Sequence, residues 1–178
     1  EAETYHAFDA ASNRLYVADS AAHRIWIYAS DGAPVGAIGR RGAGDGEFNF
    51  PTHVAVDRAG MLYVTDSLGF RVQMFDREGR FAGQFGRHGD SSGDLARPKG
   101  LAVDSEGHVY VGDALFDAVQ IFDRQGRFLL SFGERGVRPG QFWLPTGAFI
   151  DSQDRIYVAD GYNQRIQIFQ YLAGGGDE

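Results

Sequence analysis

The 178-residue chain carries 24 acidic and 17 basic residues, which gives a formal net charge of -7. This surplus of negative charge argues against binding the phosphate backbone of a nucleic acid, which depends on lysine and arginine. The absence of cysteine excludes disulfides and thiolate metal sites, and no apolar run approaches the roughly 18–20 residues that a membrane-spanning helix needs.

A single sequence unit recurs every 47 residues along the chain. Its clearest mark is a Tyr-Val-x-Asp tetrapeptide, found at residues 16–19, 63–66, 110–113 and 157–160. Prolines keep the same spacing at Pro51, Pro98 and Pro145. A repeat of this length is typical of solenoids and propellers, in which each unit is one supersecondary structure.

The second unit predicts four short strands in chain order, over residues 54–56, 61–65, 71–75 and 80–85. The first two strands are joined by Asp-Arg-Ala-Gly and the last two by Asp-Arg-Glu-Gly, and both segments are typical of tight turns. Four antiparallel strands per repeat match one blade of a β-propeller, whose sheets pack face to face. The recurring tyrosines Tyr63, Tyr110 and Tyr157 are therefore predicted to be buried between neighbouring blades.

The order Pro-x-x-apolar-Ala-Val-Asp, Gly-x-apolar-Tyr-Val-x-Asp, Arg-Ile/Val-Gln-x-Phe and Phe-Gly resembles the NHL repeat, over almost the whole chain. The resemblance implies an all-β propeller of four-stranded antiparallel blades, part of a six-bladed or otherwise completed ring. The repeat units are expected at 4–50, 51–97, 98–144 and 145–171, with a flexible tail at 172–178. A fragment of a longer chain is the favoured interpretation, with a closed four-bladed ring and a ring completed by an oligomer as the alternatives.

The fourth unit is predicted to lack its fourth strand. Its third strand, from Arg165 to Phe169, would then have an unpaired edge that invites a neighbouring chain or a second copy of this one. Low lysine and high arginine, alanine and glycine usage are typical of GC-rich bacterial genomes, and bacterial NHL proteins are often exported. The sequence therefore favours an extracytoplasmic location in a bacterium.

An aspartate ends the second strand of every unit, at Asp19, Asp66, Asp113 and Asp160. A ring of carboxylates could bind a cation near the propeller axis. The alternative is that each aspartate bonds loop amides and pairs with an arginine five positions later, as at Asp66 and Arg71. The third unit has Ala118 at the arginine position, so Asp113 is the candidate for a free carboxylate.

The loops between second and third strands carry apolar residues at one equivalent position, namely Leu68, Leu115 and Tyr162, with Phe70 and Phe116 beside it. Exposed apolar and aromatic side chains on one rim are typical of binding surfaces, although they could instead pack on their own blades. The residues His53, Lys99 and Thr146 follow the prolines and are expected to flank the mouth of the channel.

The five histidines occupy different positions within the repeat, so they are not expected to converge on a metal, and neither a cofactor nor a catalytic residue is predicted. The leading hypothesis is a non-catalytic binding scaffold that presents its loops to a protein or peptide. A metal-dependent lyase or hydrolase, of the kind that related propellers support, is the first alternative. Binding of single-stranded RNA is the second, against which the acidic charge argues.

Overall fold

The computed structural model describes residues 5–170, which form short antiparallel strands, turns and one 3-10 turn at Ser67–Gly69. The hairpin turns share one hydrogen-bonding pattern. In the second unit, the Asp57 carboxylate accepts hydrogen bonds from the main-chain N–H groups of Ala59 and Met61, each 2.9 Å long. Gly60 adopts a φ of 86°, which a side chain would strain, and the chain then reverses into the next strand.

The strands form four separate sheets, each built from consecutive strands. Blade 1 contains β1 (His6–Asp9), β2 (Arg14–Asp19), β3 (Arg24–Ala29) and β4 (Pro34–Ile38). Blade 2 contains β5 (Pro51–Val56), β6 (Leu62–Asp66), β7 (Arg71–Phe75) and β8 (Phe81–Phe85). Blade 3 contains β9 (Pro98–Val103), β10 (Val109–Asp113), β11 (Ala118–Phe122) and β12 (Phe128–Phe132). Blade 4 contains β13 (Pro145–Ile150), β14 (Arg155–Asp160) and β15 (Arg165–Gln170).

This arrangement confirms the predicted all-β propeller blades, and the predicted strands of the second unit agree closely with β5 to β8. Within residues 5–170, blade 4 has three strands. The expected tail at 172–178 lies outside the described residues.

The core lies between the blades. In the interface between blades 1 and 2, Ile25 and Ile27 of blade 1 join the same buried cluster as Leu62, Val64 and Phe75 of blade 2. Similar clusters occupy the next two interfaces. Each inner blade therefore buries both of its faces, which explains why its strands are apolar on both sides.

Two of the three repeated tyrosines are buried as predicted, since Tyr63 and Tyr110 are each 1% exposed. The prediction is wrong for Tyr157, which is only half-buried. Its ring lies on the face of blade 4 that no further blade covers among the described residues.

The linkers between blades place one apolar residue inside each interface: Phe48, Leu95 and Phe142 are all fully buried. A glutamine of the third strand holds each linker, as in blade 2, where the Gln73 amide donates to the Glu47 carbonyl at 2.7 Å and accepts from the Gly46 N–H at 2.9 Å. Gln120 and Gln167 make the equivalent bonds, so the repeated glutamine is a structural element of the blade-to-blade connection.

Candidate binding face

The longer connections of the chain meet at one end of the blades. Pro51 at the start of β5 pairs with Asp66 at the end of β6, and the equivalent pairings recur in blades 3 and 4. The loop after each second strand and the linker into each blade therefore lie side by side at the end where the innermost strand begins. We call this end the upper rim.

The carboxylate of Asp113 organises the upper rim of blade 3. It is completely buried and accepts hydrogen bonds from the main-chain N–H groups of Ala96, Arg97, Leu115 and Phe116, at 2.8 to 3.3 Å. The expectation that Asp113 is a free carboxylate is therefore wrong. Main-chain donors of the linker and the loop satisfy it, although the arginine of the other units is missing.

Arginine adds to this arrangement in blades 2 and 4. Arg71 Nε lies 3.1 Å from Asp66, and Arg165 Nε lies 2.8 Å from Asp160. Burial raises the pKa of Asp66 against the opposing effect of the Arg71 guanidinium. Burial also acts to raise the pKa of Asp160, but hydrogen bonds, including one from the Trp143 N–H at 2.8 Å, outweigh it and lower that pKa. These carboxylates accept hydrogen bonds from main-chain amides of the rim and pair with arginine. This is the alternative to a cation site that the sequence analysis gave.

Blade 1 departs from this pattern. Asp19 accepts hydrogen bonds from the Ala22 N–H at 2.8 Å and from the Trp26 indole at 3.1 Å. The Arg24 guanidinium lies over the Trp26 ring instead, 5.2 Å from its centroid. The indole thus takes the place that the arginine side chain has in blades 2 and 4.

The three equivalent apolar residues of the rim point outwards. Leu68, Leu115 and Tyr162 are 55%, 63% and 59% exposed. The Leu115 N–H donates to the buried Asp113 carboxylate at 3.0 Å. The N–H groups of Leu68 and Tyr162 donate to linker carbonyls, those of Asn49 and Trp143, at 3.1 and 3.0 Å. The exposed side chains are thus presented on a hydrogen-bonded backbone.

The rim of blade 4 carries an aromatic stack that the repeat alignment missed. The Tyr162 ring lies 4.0 Å from the Trp143 ring at an angle of 28°, and the Arg135 guanidinium lies 5.0 Å from the Trp143 centroid. Trp143 belongs to the linker, 19 positions before Tyr162, where blades 2 and 3 have Asn49 and Ala96. Comparing linker positions as well as loop positions would have indicated the pair.

The two neighbouring phenylalanines contribute less surface. Phe70 has a φ of 55° and is half-buried, with its ring 4.4 Å from the His88 ring. Phe116 is also half-buried. Phe70 therefore packs against its own chain, which is the alternative to a freely exposed binding residue.

His53 lies below the channel mouth, with 5% of its surface exposed and its ring 3.6 Å from the Tyr5 ring. The equivalent positions in blades 3 and 4 are Gly100 and Gly147. Burial, helped by the positive charge of Lys99, lowers the pKa of His53 to about 3, so the ring is neutral at pH 7. The expectation that His53 flanks the open mouth is corrected, because its ring is buried.

Lys99 and Thr146 are each half-buried at the starts of their innermost strands. They are the members of the predicted channel-mouth group that keep access to solvent. Of the two, Lys99 brings a positive charge to this end of the channel.

The channel itself is a cavity of about 430 Å³ between the innermost strands of all four blades. Most of its lining side chains are small and apolar, such as Ala55 and Ala102, and His6 is the one ionisable residue that lines it within residues 5–170.

The remaining histidines are dispersed. His23 accepts a hydrogen bond from the Phe50 N–H at 3.3 Å, and His108 lies at the opposite end of its blade, 2.8 Å from Asp104. No three metal-ligating side chains come together in the part of the chain that the structure describes.

Comparison with known families matches residues 142–169 to the NHL repeat. A second family, described as a 6-bladed beta-propeller, matches residues 4–66. This chain is a β-propeller that contains an NHL repeat. The resemblance drawn from the repeated motifs is thus confirmed, while a search of curated proteins found no match.

Several solved structures share the fold of this propeller. A streptogramin B lyase aligns with a TM-score of 0.68 at 11% identity, covering 96% of this chain and 55% of the lyase. An auxiliary nutrient binding protein from Bacteroides thetaiotaomicron aligns with a TM-score of 0.69 at 16% identity, covering 92% and 46%. Hydrazine synthase from Kuenenia stuttgartiensis gives 0.64 at 14% identity, covering 93% and 49%.

These likenesses concern the fold, since the identities are low and the functions of the three proteins differ. The propeller described here spans about half the length of the structures that it matches. Within residues 5–170 it has no helix long and apolar enough to cross a membrane.

Proposed function

We propose that this NHL propeller is a non-catalytic binding scaffold whose upper rim recognises a protein or peptide. The observation that carries the proposal is the repeated rim position, where Leu68, Leu115 and Tyr162 stay more than half exposed. The main-chain N–H of each is hydrogen-bonded, to the adjacent linker at Leu68 and Tyr162 and to the buried Asp113 at Leu115. A loop fixed in this way loses little conformational freedom when it binds, which favours affinity.

The stack of Arg135, Trp143 and Tyr162 is the expected centre of the binding surface. Tryptophan, tyrosine and arginine dominate the energetics of protein interfaces, because they contribute large rigid contacts together with polar groups. Leu115 and the half-buried Phe116 extend this surface onto blade 3. We place Lys99 at its inner margin, where an ammonium group would favour a partner with a carboxylate.

Selection from a random peptide library on the immobilised propeller tests the proposal. The selected peptides should bind the double variant Leu115→Ser, Tyr162→Ala at least tenfold more weakly than the parent chain, because hot-spot truncations cost more than about 1.4 kcal/mol. The control is Leu129→Ser, which removes a leucine of comparable exposure from the outer strand of blade 3.

Three results would overturn the proposal. The peptides could bind the rim variant as well as the parent, they could be displaced by a single-stranded RNA pool, or the purified protein could hold a stoichiometric metal ion. The last result would favour the metal-dependent enzyme, and the second would favour RNA binding.

We also propose an extracytoplasmic location in a bacterium. The residue usage, with Lys99 as the one lysine beside sixteen arginines, is typical of GC-rich bacteria, and the location rests on the resemblance to bacterial NHL proteins, which are often exported. Fractionation of the source cells tests it, and recovery of the protein in the cytoplasmic fraction would contradict it.

A further inference from the structure

The part of the upper rim around Tyr162 presents positive charge, although the whole chain has a formal net charge of -7. Its three aspartates are buried and accept hydrogen bonds from main-chain amides: Asp113, Asp117 and Asp160. Three basic side chains of the same region stay accessible to solvent: Arg97, Lys99 and Arg135. We call these three residues the basic patch. The ion pairs formed within residues 5–170 include none of them.

The linker that carries Arg135 differs in charge from the two linkers before it. The three linkers are residues 39–50, 86–97 and 133–144. The third contains two arginines and one acidic residue, while each of the others contains two arginines and two acidic residues. In the first two linkers an arginine pairs with an acid at 2.8 Å, Arg40 with Glu47 and Arg87 with Asp94. The third has Glu134 and Gln141 at those positions, and they bond to each other at 2.9 Å, which leaves the adjacent Arg135 without an acidic partner.

Arg135 is nevertheless held in place. Its main chain forms a bridge to the fully buried Phe142, and its guanidinium lies 5.0 Å from the centroid of the Trp143 ring. A guanidinium that rests on an aromatic ring keeps its planar set of N–H donors, which matches the two oxygens of a carboxylate. Because little freedom remains to be lost, this position favours binding of an acidic group.

Lys99 lies on the inner side of Tyr162, at the start of β9. The two innermost strands of blades 3 and 4 are close here, since a Cβ on Gly100 would lie 2.6 Å from main-chain atoms of β13. The start of β13 in turn contacts the loop that carries Tyr162, because a Cβ on Gly161 would lie 3.3 Å from Thr146 Oγ1. The Lys99 ammonium and the Arg135 guanidinium therefore lie on opposite sides of the exposed tyrosine.

The exposure of Tyr162 does not depend on the blade that follows it. The equivalent residues Leu68 and Leu115 are each followed by a further blade, and they are still 55% and 63% exposed. The other two residues of the basic patch on this side, Arg97 and Lys99, belong to blade 3, which has a neighbouring blade on both faces. The patch is thus a surface of the interior of the described chain.

We infer that this part of the rim binds an acidic peptide, whose carboxylates pair with Arg135 on the outer side of Tyr162 and with Lys99 on the inner side. An apolar side chain between the two acidic residues lies on Tyr162 and Leu115. Opposite charges at the two ends of the contact fix the orientation of the peptide and speed its association. The inference rests on the proposed function and adds the chemistry of the partner.

Single-stranded RNA is the other anionic partner to consider, and the structure favours it less. A phosphate backbone is held by many lysines and arginines, whereas the basic patch has three cations on a chain of net charge -7. The Trp143 ring already stacks on Tyr162, so it is not free to stack on a base. An acidic peptide needs cations at two points only and has apolar groups for the surface between them.

Two labelled peptide pools test the inference by fluorescence anisotropy on the full chain. In the acidic pool an aspartate or glutamate stands on each side of a central leucine or tryptophan, and in the neutral pool asparagine or glutamine replaces each acid. The acidic pool should bind about tenfold more tightly at about 50 mM salt, and about 500 mM salt should remove most of this difference, because salt screens exposed charges.

The variants Arg135→Gln and Lys99→Gln should each weaken binding of the acidic pool by about threefold or more and leave that of the neutral pool unchanged. The control is Arg124→Gln, which removes an exposed arginine from a hairpin at the opposite end of blade 3 and should bind both pools like the parent. Circular dichroism of all three variants should match that of the parent.

Equal binding of the two pools, or binding of neither, would overturn the inference. An effect of Arg124→Gln as large as that of Arg135→Gln would also overturn it, since net charge and not the rim would then decide. Displacement of the acidic pool by an equimolar short oligouridine would overturn it in favour of RNA. The proposed function is judged separately: rim-binding peptides from the random library that are not enriched in aspartate and glutamate would uphold that function and contradict this inference.

Discussion

The three tyrosines at one position of the repeat differ in burial, because burial depends on the neighbouring blade. Tyr110 is 1% exposed, and its hydroxyl donates to Asp104 at 3.1 Å. Tyr157 makes the equivalent bond to Asp151 at 3.1 Å, yet its ring is only half-buried. The same residue with the same hydrogen bond therefore occurs with and without a packed neighbour.

This contrast leads to a stability prediction. Tyr110→Ala should lower the free energy of unfolding by about 3–5 kcal/mol, as for other large-to-small aromatic changes in cores. Tyr157→Ala should cost less than about 2 kcal/mol, because less surface leaves the solvent there on folding. Denaturant unfolding of dilute protein measures both, and equal losses would contradict the packing described here.

The lowered pKa of His53 predicts that the free energy of unfolding decreases at acid pH. Its pKa is about 3 in the folded protein and about 6.5 when unfolded, so both states are neutral above pH 6.5 and this group then has no effect on stability. As the pH falls below 6.5, the unfolded state binds a proton that the folded state excludes. The free energy of unfolding therefore falls by about 1.4 kcal/mol per pH unit until the pH approaches 3.

The variant His53→Phe keeps a ring against Tyr5 and removes this titration. Between pH 7 and pH 5, the parent should lose about 2 kcal/mol more stability than the variant. Denaturant midpoints at the two pH values provide the measurement. Parallel losses in both proteins would show that His53 is solvated in the folded state.

At the scale of strands, two glycines at one position of the repeat differ in the space around them. A Cβ on Gly100 would lie 2.6 Å from the main-chain atoms Ala148 N and Gly147 C, because β9 and β13 approach closely there. A Cβ on Gly147 would meet Ala159 Cβ at 3.6 Å, which is ordinary contact. The backbone of blade 4 therefore leaves no space for a Cβ at position 100, whereas position 147 has space for one.

Gly100→Ala should consequently destabilise the propeller by about 1–3 kcal/mol, the usual range for overpacking. Gly147→Ala is the matched control and should change stability by less than about 0.5 kcal/mol. Thermal unfolding of the two variants checks the difference. If the variants were equally stable, blades 3 and 4 would have to be further apart than described.

The whole molecule is a row of units in which each blade contacts mainly its neighbours. Blades 2 and 3 are covered on both faces, whereas blades 1 and 4 each leave one face open among the described residues. We therefore expect hydrogen exchange, measured on dilute monomer, to be slowest in β6, β7, β10 and β11 and faster in β14 and β15. Uniform protection of all four blades would indicate that the chain opens as a single unit.

The sequence by itself determined the strands, the hairpin turns and the number of blades. These follow from local rules, because an Asp-x-x-Gly turn such as 57–60 and the side-chain alternation around it act within a few residues. The repeat also indicated the exposed rim position at Leu68, Leu115 and Tyr162, since the same loop geometry recurs in each unit.

Only the tertiary structure decided the remaining features. Asp113 is satisfied by amides of a linker 16 and 17 residues away, His53 is buried by Tyr5 of another blade, and Trp143 meets Tyr162 across a strand pair. The exposure of Ile166 and Ile168 likewise depends on which blade comes next, and the residues themselves resemble their buried counterparts. Each of these outcomes rests on contacts between segments far apart in the chain, and a repeat pattern does not encode such contacts, because it specifies each unit without specifying its neighbours.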